Sequence, residues 1–308
     1  RIFKTRSGLK VAVVGLIELN SKGIPDALPS DVSGFSFDDP LSRAKDFYAL
    51  RDSCNVLIYL THLGYDADKL LAKQCSGIVD EIVGGHSHTL VKDGTVVDSV
   101  LITQSEKYLR YATLTVFDIV DGKVTGRSCR TFDLSEFKPH PAAKALVDFY
   151  SNNEQFNRVV TVFDEDYTGT QAVGELKADV LRQACGVDIA VQNYGGVRID
   201  TIRSGVFTLA DLYRLDPFDN DIVIYELTPS EIEDLLAACQ KSDKDREPIT
   251  SGYEKGKLKK NRYYTVAVNT FIYETSDFKH KREARQTGIK SNDILIKYFA
   301  GSNTDVTK

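Results

Sequence analysis

Two short apolar runs, each delivering histidine at its carboxyl end, constrain this chain more than any other feature. Val56-Leu57-Ile58-Tyr59-Leu60 has the length and make-up of a buried parallel strand, and Thr61-His62-Leu63-Gly64 follows it. A helical pattern comes next, with Leu70 and Leu71 apolar and Asp66, Asp68, Lys69 and Lys73 polar. A second run, Ile78 to Val83, ends in Gly84-Gly85-His86-Ser87-His88. Strand, helix and strand therefore bring histidines to one sheet edge, the carboxyl edge at which open α/β sheets bind ligands. Imidazole is the commonest protein metal ligand, and paired glycines let backbone approach an ion closely. A lone histidine after a strand is more often a loop residue or a cap. The combination points to a metal site.

The flanking sequence extends this unit. Leu9 to Leu16 is a dense β-branched run, and Asp39 to Leu50 reads as a helix with Pro40 in its first turn and Leu41, Ala44, Phe47 and Tyr48 on one face. Alternating strands and helices through Val83 predict a layered α/β sheet. Val100 to Thr103, Tyr111 to Val120 and Val124 to Phe132 read as antiparallel strands, the last two joined at Asp121-Gly122. At Pro139 the character changes, and Pro141 to Tyr150 reads as a helix between two domains. The expected division is 1–138, a connecting hinge at 139–160, and 161–308.

The second domain carries its own constellation. Ala172 to Cys185 is an amphipathic helix, and a strand at Val187 to Val191 feeds Gln192-Asn193-Tyr194-Gly195-Gly196-Val197-Arg198. Glycines there would let a ligand lie against bare backbone, and a guanidinium offers a planar donor fork to phosphate or carboxylate. Asp216-Pro217-Phe218-Asp219-Asn220 follows, between a helix at Leu209 to Leu215 and a strand at Ile222 to Leu227. Thr228-Pro229-Ser230-Glu231 then has the form of a capping box. After the strand Tyr264 to Asn269 come Phe271 and Asp277. Two phenylalanines beside a Gly-Gly-x-Arg loop suit a flat base held between rings.

These two motif sets resemble the 5′-nucleotidase family over nearly the whole chain, from about Lys10 to Phe299. The resemblance implies an α/β fold: the second half of a metallophosphoesterase domain, then a mixed α+β/α/β 5′-nucleotidase C-terminal domain. His62 and His86 would bind one ion of a dinuclear centre and His88 would serve the other. Phe218 and Phe271 would sandwich the base, Asn220 would reach its edge, and Asp277 the ribose. Arg198 with Asn193 would meet the anionic or sugar portion, beside Gly195 and Gly196. The implied activity is metal-dependent hydrolysis of nucleoside phosphates. Related readings are cyclic-nucleotide or nucleotide-sugar hydrolysis, or a nucleoside-binding protein with a degenerate metal domain.

The family's first-half motifs, Asp-x-His, Gly-Asp and Gly-Asn-His-Glu, are not in this chain. No catalytic residue is therefore assigned here. The His–Asp dyad is expected upstream of Arg1, or on an N-terminal fragment that completes the metal domain. The complete enzyme would hold two divalent ions such as zinc or manganese, this chain at most one, and the chain alone would be inactive. The family is usually exported, which implies a periplasmic, extracellular or cell-surface location. The net charge of −5 argues against nonspecific nucleic-acid binding, and no apolar run approaches the ~20 residues of a membrane span. Five cysteines without a CxxC pair read as free thiols.

Overall fold

The computed structural model describes residues 1–218, 220–240, 247–279 and 282–301, so Asp219 of the Pro-Phe-x-Asn stretch lies outside the described residues. The chain divides into two compact units, Arg1–His140 and Pro141–Lys308. In the first, six strands form one sheet: β1 (Ile2–Lys4), β2 (Lys10–Ile17), β3 (Val56–His62), β4 (Glu81–Val83), β5 (Thr95–Val97) and β6 (Val100–Thr103), in the order β1-β2-β3-β4-β6-β5. The four central strands are parallel, with Ile17 opposite His62 and Leu60 opposite Val83, so their carboxyl ends share one edge. Between strands lie α1 (Pro40–Arg43) and α2 (Tyr65–Gln74). Leu57, Tyr59, Leu71, Ile82 and Ile102 are fully buried in one cluster, the product of period-two strands facing an amphipathic helix.

The helix expected over 39–50 is α-helical only to Arg43, capped by Asp39, and continues as a 3₁₀ helix over Ala44–Ser53. The tightening goes with an anchor at its end: Arg51 donates to the carbonyls of Cys54 and Asn55 and pairs with Asp80, tying the segment to the start of β3. Strands β7 (Tyr111–Val120) and β8 (Lys123–Asp133) form a two-stranded ribbon. Asp121 and Gly122 join them with positive φ at both positions (49° and 76°), as a primed hairpin turn requires.

The second unit begins with α3 (Pro141–Ser151), which buries none of its residues. Short pairs follow, β9 (Val159–Phe163) with β13 (Gly205–Thr208) and β10 (Tyr167–Thr168) with β12 (Thr201–Ile202). The core sheet contains β11 (Ile189–Asn193), β14 (Asp221–Leu227), β15 (Pro248–Ser251), β16 (Tyr264–Asn269) and β17 (Arg285–Lys290), ordered β15-β11-β16-β14-β17. Helices α4 (Thr170–Ala184), α5 (Leu209–Leu215), α6 (Pro229–Cys239), α7 (Thr270–Thr275) and α8 (Ser291–Phe299) complete it. Alternate strand residues feed two clusters. Ala190, Ile222 and Ala267 join Leu181, Leu212 and Leu295, whereas Val191, Val223 and Val268 join Ile232 and Leu235. The capping box at Thr228 and Glu231 is formed, with Pro229 at the first helical position. All five cysteines are free thiols; Cys75, Cys185 and Cys239 are buried.

Candidate functional site

In the first unit, β2 and β3 run parallel to the same edge, and Glu18 N–H donates to the His62 carbonyl (3.1 Å) just past their ends. The Glu18 carboxylate thereby reaches the histidines. Donor atoms of Glu18, His62 and His86 all lie within 4.8 Å of one another, the one group of three metal-capable side chains found among the described residues. The His62 and His86 rings are 5.1 Å apart, edge to face, and His86 Nδ1 lies 3.8 Å from Glu18 Oε1. Oε2 of Glu18 is buried and has no hydrogen-bond partner. An orphaned carboxylate oxygen beside two imidazoles fits a divalent cation, since one carboxylate and two histidines form a familiar zinc donor set. His88 lies outside this group.

The loop carrying His86 and His88 holds both in the left-handed region (φ 73° and 52°), which costs a non-glycine residue energy. Gln104, just beyond β6 and 2% exposed, stabilises it. Its amide nitrogen, Nε2, donates to Gly85 O (2.9 Å), while Oε1 accepts from Thr89 N and Ser87 Oγ. Ser87 Oγ also accepts from Tyr65 N, so the same loop caps α2, where Gly64 offers no side chain. Beneath lies Asp68, fully buried, accepting from Thr61 Oγ1 (2.6 Å). Burial pushes its carboxyl pKa up to about 6, the Thr61 bond opposing. A Cβ at Gly84 would collide with Asp68 Oδ2, and one at Gly85 would come within 3.1 Å of His62 Nδ1. The two glycines therefore serve close packing around the histidines.

In the second unit, β11 and β16 are parallel neighbours that end together in Asn193 and Asn269. Asn269 Nδ2 donates to Asn193 Oδ1 (3.0 Å), and its own Oδ1 caps α7 by accepting from Ile272 N. Thr270 Oγ1 donates to Asn220 Oδ1 (3.1 Å), joining the start of β14 to α7. Arg198 N donates to Leu215 O, and its guanidinium carbon lies 5.0 Å over the Phe218 ring. Phe218 is 45% exposed and Phe271 half-buried, so neither is a core residue. A Cβ at Gly196 would come within 2.7 Å of Asn193 Oδ1. Gly195 and Asp277 are half-buried, the latter two residues beyond α7. Asn193 and Phe271 also line a small pocket with Cys239, Ile272, Thr275 and Ser276, whose hydroxyl is buried without a partner.

Sequence reading did not single out Glu18, Gln104 or Asn269. A signal existed for Glu18 alone: an acid just past an apolar run that becomes the neighbouring parallel strand.

A parallel-sheet unit with histidines and a carboxylate at its carboxyl edge is followed by a mixed-sheet unit bearing Asn-x-Gly-Gly-x-Arg, the arrangement that the resemblance to 5′-nucleotidases implies. The comparisons agree. Residues 152–254 match the family model described as 5′-nucleotidase, C-terminal domain. The trifunctional nucleotide phosphoesterase protein YfkN of Bacillus subtilis (strain 168) is 29% identical over 251 residues, covering 74% of this chain and 17% of that protein. A 5′-nucleotidase of Vibrio cholerae is 24% identical over 290 residues, covering 75% of this chain and 52% of that protein. The chain thus spans well under two thirds of these relatives. The crystal structure of the 5′-nucleotidase precursor from Thermus thermophilus superposes with a TM-score of 0.80 at 24% identity, covering 98% of this chain and 71% of that one. The resemblance carried by the motifs is shown, by the C-terminal-domain match over residues 152–254 and by relatives named as 5′-nucleotidases. Among the described residues, no helix is long and apolar enough to cross a membrane.

Proposed function

We propose that this chain is part of a metal-dependent phosphohydrolase of the 5′-nucleotidase type, acting on nucleoside phosphates. The observation that carries the reading is the convergence of Glu18, His62 and His86, with the orphaned Glu18 oxygen among them. These three residues would hold one divalent ion, with His88 of the same loop as a ligand of a second. Such an ion supplies Lewis acidity toward a phosphoryl oxygen.

Residues 161–308 grip the nucleoside. Phe218 and Phe271 present ring faces to a base, Asn220 its polar edge, and Asp277 an acceptor for ribose hydroxyls. Arg198, its fork held over Phe218, donates to phosphoryl or sugar oxygens with Asn193 beside it. Residues 1–138 carry the metal site, and 139–160 join the two. An exported enzyme, periplasmic or at the cell surface, is the location we propose. The test is titration of the metal-free chain with Co²⁺, followed by its visible absorption. The reading expects one equivalent bound, with the spectrum lost on His62→Ala or His86→Ala. An unchanged spectrum in both variants would remove the metal assignment.

A further inference from the structure

Lys177 and Asp216 form an ion pair whose side chains are 2% and 1% exposed, with Nζ to Oδ2 at 2.9 Å. Lys177 projects from α4, and Asp216 is the residue that ends α5. The pair does more than neutralise itself. Lys177 Nζ donates to Gly196 O (3.1 Å), inside the Gly-Gly-x-Arg loop. Ser291 Oγ donates to Asp216 Oδ2, and Asn292 Nδ2 to the Asp216 carbonyl (3.0 Å), both from the start of α8. One residue before Asp216, Leu215 O accepts from Arg198 N (3.0 Å). Two residues after Asp216 comes Phe218, under the Arg198 guanidinium. The remaining Asp216 oxygen, Oδ1, is buried without a partner.

A buried ion pair is a poor way to gain stability, because desolvation of both charges offsets their attraction, and apolar residues of similar volume often serve as well. What apolar side chains cannot supply is direction. Here the pair's hydrogen bonds hold the main chain of the Gly-Gly-x-Arg loop at Gly196 and tie Asp216, which leads into the Pro-Phe loop, to Ser291 and Asn292 of α8. Those are the two loops that carry Arg198 and Phe218. An apolar pair would fill the space and leave the loops free to slide.

We propose that Lys177 and Asp216 are positioning residues of the nucleoside-phosphate grip, fixing the Gly-Gly-x-Arg loop against the Pro-Phe loop so that the guanidinium stays stacked on Phe218 and aimed at an oxyanion. The proposal rests on the nucleoside-binding reading above. Its test is the double variant Lys177→Met/Asp216→Leu, which removes both charges together and leaves neither unpaired. Thermal melting, calorimetric titration with adenosine and with adenosine 5′-monophosphate, and hydrogen exchange at the Arg198 amide are read on it and on the parent.

The expected result is melting close to the parent, with the monophosphate bound about tenfold more weakly, adenosine less affected, and faster Arg198 exchange. Parent-like melting with parent-like monophosphate affinity makes the pair packing only and overturns the proposal. If the parent binds neither ligand, the proposed function fails, and the exchange rate decides the positioning claim by itself: unchanged exchange overturns it. If the double variant does not fold, Ser291→Ala, which keeps both charges, takes its place. Weaker monophosphate binding then supports the proposal, and unchanged binding contradicts it.

Discussion

The histidine loop and the Gly-Gly-x-Arg loop both follow strand ends, yet they are held in different ways. In the first unit His86, proposed above as a ligand, lies on a loop with two non-glycine residues at positive φ, held by the Gln104 amide and by Ser87 against the start of α2. In the second, the loop is ordinary backbone, and buried polar side chains from distant elements hold it: Asn269 on Asn193, and Lys177 on Gly196. The metal site proposed there would need atoms placed to a fraction of an ångström, and main-chain strain locked by a buried amide suits that. The proposed nucleoside site would need open faces and a directed cation, and Phe218 stays 45% exposed. Support is thus concentrated beneath the histidine loop in the first unit and behind the Gly-Gly-x-Arg loop in the second.

Gln104 is the first residue to replace. Gln104→Leu leaves the Gly85 carbonyl and the Thr89 amide without their partner, and should cost about 2–4 kcal/mol in urea unfolding. It should also weaken Co²⁺ binding. Unchanged stability would mean that the loop does not depend on this amide.

Asp68 comes next, through pH. Its carboxyl stays protonated in the native state to about pH 6, against 3.8 as reference, so the native state binds the extra proton between those values. The stabilisation this gives is full below pH 3.8 and is lost as pH rises through about 6, about 3 kcal/mol in all. Asp68→Asn, always neutral, should lack that fall. Stability of the two proteins compared from pH 4 to 7 should diverge in favour of the variant, and parallel curves would refute the burial account.

Glu18→Gln should lower divalent-metal affinity about 10–100-fold while shifting the melting temperature little, because its free oxygen supports no folded contact. Equal affinity in a chelator-competition titration would exclude Glu18 from the site. The smallest effect belongs to Arg198→Ala. Loss of its stack on Phe218 should cost only about 0.5–1 kcal/mol of stability, and monophosphate binding should suffer more than nucleoside binding.

Much of the frame is legible in the sequence, because its signals are local. Tyr264–Asn269 and Leu209–Leu215 have the expected bounds, and the Thr228 box and the Asp121-Gly122 turn form where their residues dictate. The 3₁₀ segment over Ala44–Ser53 is not legible, since Arg51 finds its ion-pair partner Asp80 well along the chain. The same reason hides Glu18, Gln104, Asn269 and the Lys177–Asp216 pair. Each is a common polar residue that gains its role only when strands far apart in sequence become neighbours. The histidines and glycines are conspicuous by type; the residues that hold them are conspicuous only by burial.

In the function proposed above, metal and nucleoside are held by separate groups of residues, each on its own unit. Calorimetric titration of adenosine in the presence of a metal chelator tests it most directly, run on the parent, on His62→Ala/His86→Ala and on Phe218→Ala. The account predicts parent-like affinity for the histidine variant. For Phe218→Ala it predicts a loss of ~1–3 kcal/mol, about five- to a hundred-fold, with little change in melting temperature. Adenosine binding that vanishes with the histidines and survives loss of the Phe218 ring would contradict it.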